Sequence, residues 1–248
     1  VSKQHQKVLD FLLTKNLKPN DILINDKSIL QNYEIDIYLP KYDLGIEING
    51  DYFHSEIFRH EKYHQNKFIK SCNSNIKLLQ FWEHEIKNKF NIVSSIINDN
   101  IGISNKIFAE NCKIASPDNN IISKFINDNH LQGHKNANIN YCLTYNSEIV
   151  YVISLSKHTK HEYEIIRSCI KIQHEIVGGF SKLLKKFIKD YNPKTIIAFA
   201  DTRYDIGEIY IKNHFKPQCL TKPDYFYWKN KRILPKQQIN ISSENMVN

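Results

Sequence analysis

Two runs of strict alternation, Glu34-Ile35-Asp36-Ile37-Tyr38-Leu39 and Leu44-Gly45-Ile46-Glu47-Ile48-Asn49, flank the turn-like stretch Pro40-Lys41-Tyr42-Asp43. Successive side chains of a strand point to opposite faces, so this pattern belongs to strands and not to a helix. It predicts a hairpin over residues 33–49, with Ile35, Ile37 and Leu39 on one side and Leu44, Ile46 and Ile48 forming the apolar face of the second strand. Asp36, Glu47 and Asn49 then lie on the polar face, and His54 follows just after Gly50.

The surrounding chain supplies the rest of an α/β unit. Residues 3–15 carry a helical stripe of Val8, Phe11 and Leu12, residues 56–72 have helical spacing, and Lys77–Trp82 reads as a buried strand. A helix over residues 83–99 ends near Asn100 and Gly102. The order helix, hairpin, helix, strand, helix is a complete α/β layer. From about 105 to 120 the pattern loosens, with Ser116-Pro117-Asp118-Asn119-Asn120 as the best linker candidate. A second series follows: a helix over 121–129, strands over 138–145, 148–155 and 163–172, a helix over 181–190, a strand over 195–200, a helix over 206–213 and a strand near 224–228. The expected division is 1–104 for the first domain, 105–120 for a linker, 121–235 for the second domain and 236–248 for a loose tail.

Charge narrows the partners. A net charge of +8 and a pI near 9.0 suit a polyanion, nucleic acid first and an acidic membrane second. No run of about 18 apolar residues is present, which argues against a membrane span, and Val1-Ser2-Lys3-Gln4 leads into no apolar core of a secretory leader. Cysteines at 72, 112, 142, 169 and 219 are dispersed, without a CxxC pair. That spacing suits a reducing cytosol better than a disulfide framework, and it disfavours a cysteine-rich zinc site.

The chemistry-bearing spacing is D-x10-E-x-N-G-x3-H, from Asp36 to His54. Two carboxylates converging on one hairpin face form a cradle for a hard divalent cation, Mg²⁺ or Mn²⁺. Cleavage of a phosphodiester there needs a metal to offset developing charge and a base to activate water. An alternating strand also shows polar residues to solvent as a matter of course. His60, His64 and Lys67 follow at i, i+4 and i+7, sharing a helix face that reaches either the active site and a phosphate, or only water.

The run Glu34-Ile-Asp-Ile-Tyr-Leu-Pro40, then Gly45-Ile-Glu-Ile-Asn-Gly-Asp-Tyr-Phe-His54, then Tyr63-His64 and Lys67, resembles the very-short-patch-repair (Vsr) type of nuclease over about residues 2–100. It is most similar to the phage homing endonucleases of the EDxHD group, within the PD-(D/E)XK fold. The resemblance implies a restriction-endonuclease-type α/β domain, with Asp36 binding the metal and the carbonyl of Ile48 as a second ligand. It implies His54 as general base, Asn49 where the repair enzymes carry a histidine, and Lys67 substituting for the lysine of the PD-(D/E)XK pair. The family's N-terminal glutamate is missing, since Gln4-His5-Gln6 occupies that stretch, which leaves His5 or Asp10 to serve. The structural zinc ligands of the repair enzymes also have no counterpart, which argues against mismatch repair.

In the second half, Gly178-Gly179-Phe180-Ser181 opens a helix between two strands. Backbone N–H groups at such a helix start suit a phosphate, although an ordinary tight turn uses glycine in the same way. The order of elements, ending in Ile209-Tyr210-Ile211-Lys212-Asn213-His214-Phe215, resembles the GNAT acyltransferase fold over roughly 121–230. The resemblance implies a GNAT-like α+β domain, with Gly178 and Gly179 at the cofactor pyrophosphate and Tyr210 near the acid. The usual Arg/Gln-x-x-Gly-x-Gly signature is absent, and Glu164 and Asp201 are the candidate bases. Lys182, Lys185, Lys186 and Lys189 on the helix, with Arg203 and Lys212 nearby and His60 from the first half, are candidate contacts to DNA phosphates.

The expectation from sequence is therefore a metal-dependent, site-specific endonuclease acting on double-stranded DNA in the cytoplasm, that of a bacterial host cell if the protein is phage-encoded. A homodimer on DNA would account for a double-strand cut. The alternatives are a restriction or defence nuclease, and a GNAT-type acyltransferase acting on DNA or another substrate. A DNA-binding protein with a decayed nuclease site also remains open.

Overall fold

The structure, a computed structural model, describes residues 2–31, 33–51, 63–221, 226–229 and 232–235. In the first half, α1 (Lys3–Leu13), β1 (Leu23–Asp26), β2 (Ile35–Leu39), β3 (Leu44–Asn49), α2 (Tyr63–Asn73), β4 (Lys77–Trp82), α3 (Glu83–Asn88) and α4 (Phe90–Asn100) follow one another. Their sheet runs β1-β2-β3-β4, antiparallel until β3 and β4, which pair in parallel. A parallel step needs a crossover, and α2 occupies it. Val8, Leu9 and Leu12 of α1 bury against Ile37, Leu39, Leu44, Ile46, Leu79 and Phe81, with Ile92, Val93 and Ile97 of α4 completing that core.

The predicted hairpin is present, with Ile37 opposite Ile46 and Leu39 opposite Leu44. Ile35 departs from the expected face: it packs with Leu30, Tyr38 and Ile76 in a separate cluster. The single helix expected over 83–99 is two, broken where Lys89 leaves helical geometry at φ −133°. β1 went unpredicted, because its Leu23-Ile24-Asn25-Asp26 is exposed and lacks an alternating pattern.

The stretch 105–120, expected as a linker, is built into the fold. It forms β5 (Asn105–Phe108), a 3-10 turn, β6 (Lys113–Ala115) and the start of α5 (Asn119–Asn129). Then come β7 (Ile139–Tyr145), β8 (Glu148–Lys157), β9 (Glu162–Ile170), β10 (His174–Val177), α6 (Gly179–Tyr191), β11 (Thr195–Ala198), α7 (Glu208–Lys212), β12 (Phe226–Lys229) and β13 (Arg232–Pro235). The second sheet runs β11-β9-β8-β7-β6, antiparallel except for the parallel β9–β11 pair. Phe180, Leu183, Leu184 and Phe187 of α6 cover one face over Tyr151, Ile153, Leu155, Tyr163 and Ile165. Ile122 and Ile126 of α5 cover Cys142, Val152 and Cys169 on the other.

β5 pairs in parallel with β10, which ends at the residue before Gly178. Leu131, Ile172 and Tyr204, all from the second half, pack into the core of the first. The architecture is mixed α/β, and among the described residues no helix is long and apolar enough to cross a membrane.

Candidate functional site

Two of the expected sites lie largely among the described residues. At the first, the hairpin delivers Asp36 and Glu47 to each other as the alternation predicts. The Asp36 backbone N–H donates to Glu47 Oε1 at 3.1 Å, and the Ile48 N–H donates to Asp36 Oδ2 at 2.7 Å. Lys67, on α2, places its Nζ 2.5 Å from Glu47 Oε2 with only 2% of its side chain exposed, and it also donates to the Glu34 carbonyl. Burial and the neighbouring Asp36 charge push the Glu47 carboxyl up to about 7, against the pull of Lys67.

Asn49 is buried, and in the β3–β4 ladder Ile48 is paired with Phe81 and Asn49 with Trp82. His64 Nδ1 lies 3.3 Å from Gln80 Oε1, and its ring meets Trp82 edge-on. His5 is buried in α1, and burial lowers its pKa although Asp36 opposes this. His54 and His60 lie outside the described residues. Both hairpin carboxylates are thus held by partners inside the protein. Among the described residues no group of three or more His, Cys, Asp or Glu side chains is placed to hold a metal ion.

The second place is the mouth of α6. Gly178 adopts φ +76°, a left-handed conformation that glycine takes without strain. Gly179 is pressed so close to Tyr151 that an added Cβ would stand 2.5 Å from Cδ1. Together they start a 13-residue helix with no acidic residue in its first turn, at an open cleft of about 390 Å³. Phe108, Ala109 and Glu110 line one side of the cleft; Val177, Gly178, Ser181, Lys182 and Lys185 line the other. Ser181 Oγ donates to Asn213 Oδ1 at 2.7 Å, and Tyr210 packs edge-on against Phe180 with ring centres 5.4 Å apart. Burial first, then the Asp205 charge, raises the Tyr210 hydroxyl to about 12.

The basic residues expected at DNA divide into two groups. Lys185 and Lys189 are exposed. Lys182 turns inward to the Ala109 and Cys112 carbonyls, at 2.7 and 2.6 Å. Lys186 pairs with Asp190 and Lys212 with Glu208, each one turn away on its own helix. Arg203 is enclosed between Glu85 and Asp201. Asp201, which burial alone would raise, is held below its ordinary pKa by Arg203. Glu164, the other candidate base, is paired with His158, whose Nε2 lies 2.8 Å from Glu164 Oε2. The partnerships of Lys182 and Arg203 join segments about 70 and 118 positions apart, and no local spacing announces them.

No family model and no curated protein matches the chain. A solved GNAT family acetyltransferase from Elizabethkingia anophelis, with acetyl-CoA bound, is similar in structure over 51% of this chain and 94% of its own, at 14% identity and a TM-score of 0.32. The expectation of a metal-dependent DNA endonuclease using Mg²⁺ or Mn²⁺ is corrected by the geometry of the hairpin: the carboxylates of the expected metal cradle are tied to Lys67 and to the backbone.

Proposed function

We propose that the second half of the chain is an acyltransferase-type module of GNAT-like fold that takes a phosphate-bearing acyl carrier at the mouth of α6. In this reading the first half, an α/β unit of Vsr-like fold, serves to target that module to nucleic acid. The sheet order β1-β2-β3-β4 with its single parallel step supports the fold proposed for the first half.

The observation that carries the reading is the cleft at Gly178-Gly179. The first N–H groups of a helix have no partner one turn back, and with the helix dipole they favour an anion. Exposed Lys185 adds charge at the rim, while Glu110 on the opposite lip confines a phosphate to the α6 side. A carrier of the coenzyme A kind would supply an activated acyl thioester. Within the chain, the helix start and Lys185 bind its phosphates, and Tyr210 keeps its proton throughout the neutral range, as a proton donor must.

Titration calorimetry with acetyl-CoA tests this. Saturable binding is expected, weakened about tenfold or more in Lys185→Glu, with unchanged circular dichroism. No binding to the unaltered protein sinks the reading. A second reading, nucleic-acid binding without acyl transfer, draws on one observation: Lys185 and Lys189 both stand exposed on α6, free to meet phosphates.

A further inference from the structure

Every strand at the edge of a sheet leaves a row of backbone N–H and C=O groups without partners. Among the described residues β4 is such a strand, outermost in the order β1-β2-β3-β4. Its Gln80 N–H nevertheless donates to the carbonyl of Arg203, at 2.7 Å, although Arg203 belongs to the loop that follows β11 in the second half. One residue of the second half thus extends the sheet of the first.

The side chain of Arg203 fixes that contact from the other direction. Its Nη1 donates to both Glu85 oxygens, at 3.0 and 3.1 Å, while Nε and Nη2 donate to Asp201 at 3.1, 3.2 and 2.8 Å. Glu85 in turn accepts the Trp82 N–H at 2.9 Å, where β4 passes into α3. Asp201 accepts the Arg203 N–H at 3.1 Å and Gln132 Nε2 at 3.0 Å. Next in sequence, Tyr204 packs into the first core. A planar guanidinium can serve two carboxylates at once, which an ammonium on a flexible stem does less well.

We infer that Arg203 is a positioning residue: a latch that seats the loop 199–207 on the open edge of β4 and thereby orders the polar cluster of the first half from the second. The path is short. The Gln80 side chain meets His64 Nδ1, and Gln80 lies in register with Glu47, the partner of Lys67. Any ligand that draws the loop away from β4 frees the Gln80 amide and loosens that cluster. The inference does not depend on what the α6 cleft binds.

Amide hydrogen exchange on the full chain tests it, comparing the unaltered protein with Arg203→Lys and Arg203→Ala. The expected result is a rise of at least about tenfold in exchange at the Gln80 amide in both variants. Amides of β8, such as those of Val152 and Ile153, should change less than about twofold. An unchanged Gln80 rate, or an equal rise at Gln80 and in β8, overturns the latch, the second because it would mark general destabilisation. Should Arg203→Ala not fold, Asp201→Asn removes one anchor and keeps the other; it should raise Gln80 exchange by a smaller factor, about threefold. No change at Gln80 in that variant overturns the proposal equally.

Discussion

Glu47 is pulled in two directions: burial and Asp36 favour its neutral form, while Lys67 at 2.5 Å favours its charge. Burial wins, and the folded-state pKa of about 7 lies above the ordinary 4.5. A group raised in this way stabilises fully below its unfolded pKa, and the contribution fades as pH rises through the folded value. Urea unfolding should therefore show stability falling by on the order of 2 kcal/mol between pH 5 and 8. In Glu47→Gln that slope should flatten over the same window; an identical slope in both proteins would show that the group is not responsible. Alternation along the hairpin made the meeting of Asp36 and Glu47 legible, because a period of two fixes the face. What it could not convey is depth. A polar face normally meets water, and Lys67 of α2, buried against Glu47, draws that carboxylate into the interior while Asp36 stays half-buried.

Helix α6 shows how two adjacent glycines do different work. Gly178 needs its freedom of rotation and has room, with Ala109 Cβ 3.8 Å from where a side chain would begin. Gly179 has no room, since an added Cβ would stand 2.5 Å from Tyr151 and 2.7 Å from Ile176. Gly178→Ala should thus cost about 1–2 kcal/mol through backbone strain. Gly179→Ala should cost about 1–3 kcal/mol through overpacking and should disturb Tyr151, which Gly178→Ala would leave in place. Denaturant midpoints together with the near-ultraviolet tyrosine signal separate the two. A silent Gly179→Ala would contradict this close packing. Most helices were readable from their apolar spacing, but β5 and β10 were not. Each is four residues long, and their pairing is parallel between segments far apart, so neither run carries the mark of its partner.

Taken whole, the chain is less divisible than its sequence suggests. A loosened pattern over 105–120 reads as a boundary, yet β5 and β6 tie that stretch into the second half, while Leu131, Ile172 and Tyr204 complete the first core. Mixed α/β character was legible from the succession of periods; the mutual burial was not, because it depends on single side chains in loops. Net charge is also a property of this scale. With +8 overall and Lys185 and Lys189 exposed on α6, the second reading, nucleic-acid binding through α6, predicts binding to duplex DNA that weakens steeply with salt. Replacing both lysines by glutamine should reduce the magnitude of the log–log slope by about 2 if each meets a phosphate. A slope unchanged by the double substitution would place the nucleic-acid surface elsewhere. The Arg203 contact also sets an order in time. Arg203 lies 118 positions after Glu85, and ribosomes add roughly 5–20 residues per second. The outer edge of β4 therefore waits on the order of 6–24 seconds after its own synthesis for the residue that covers it, exposed through that interval to any other strand that passes.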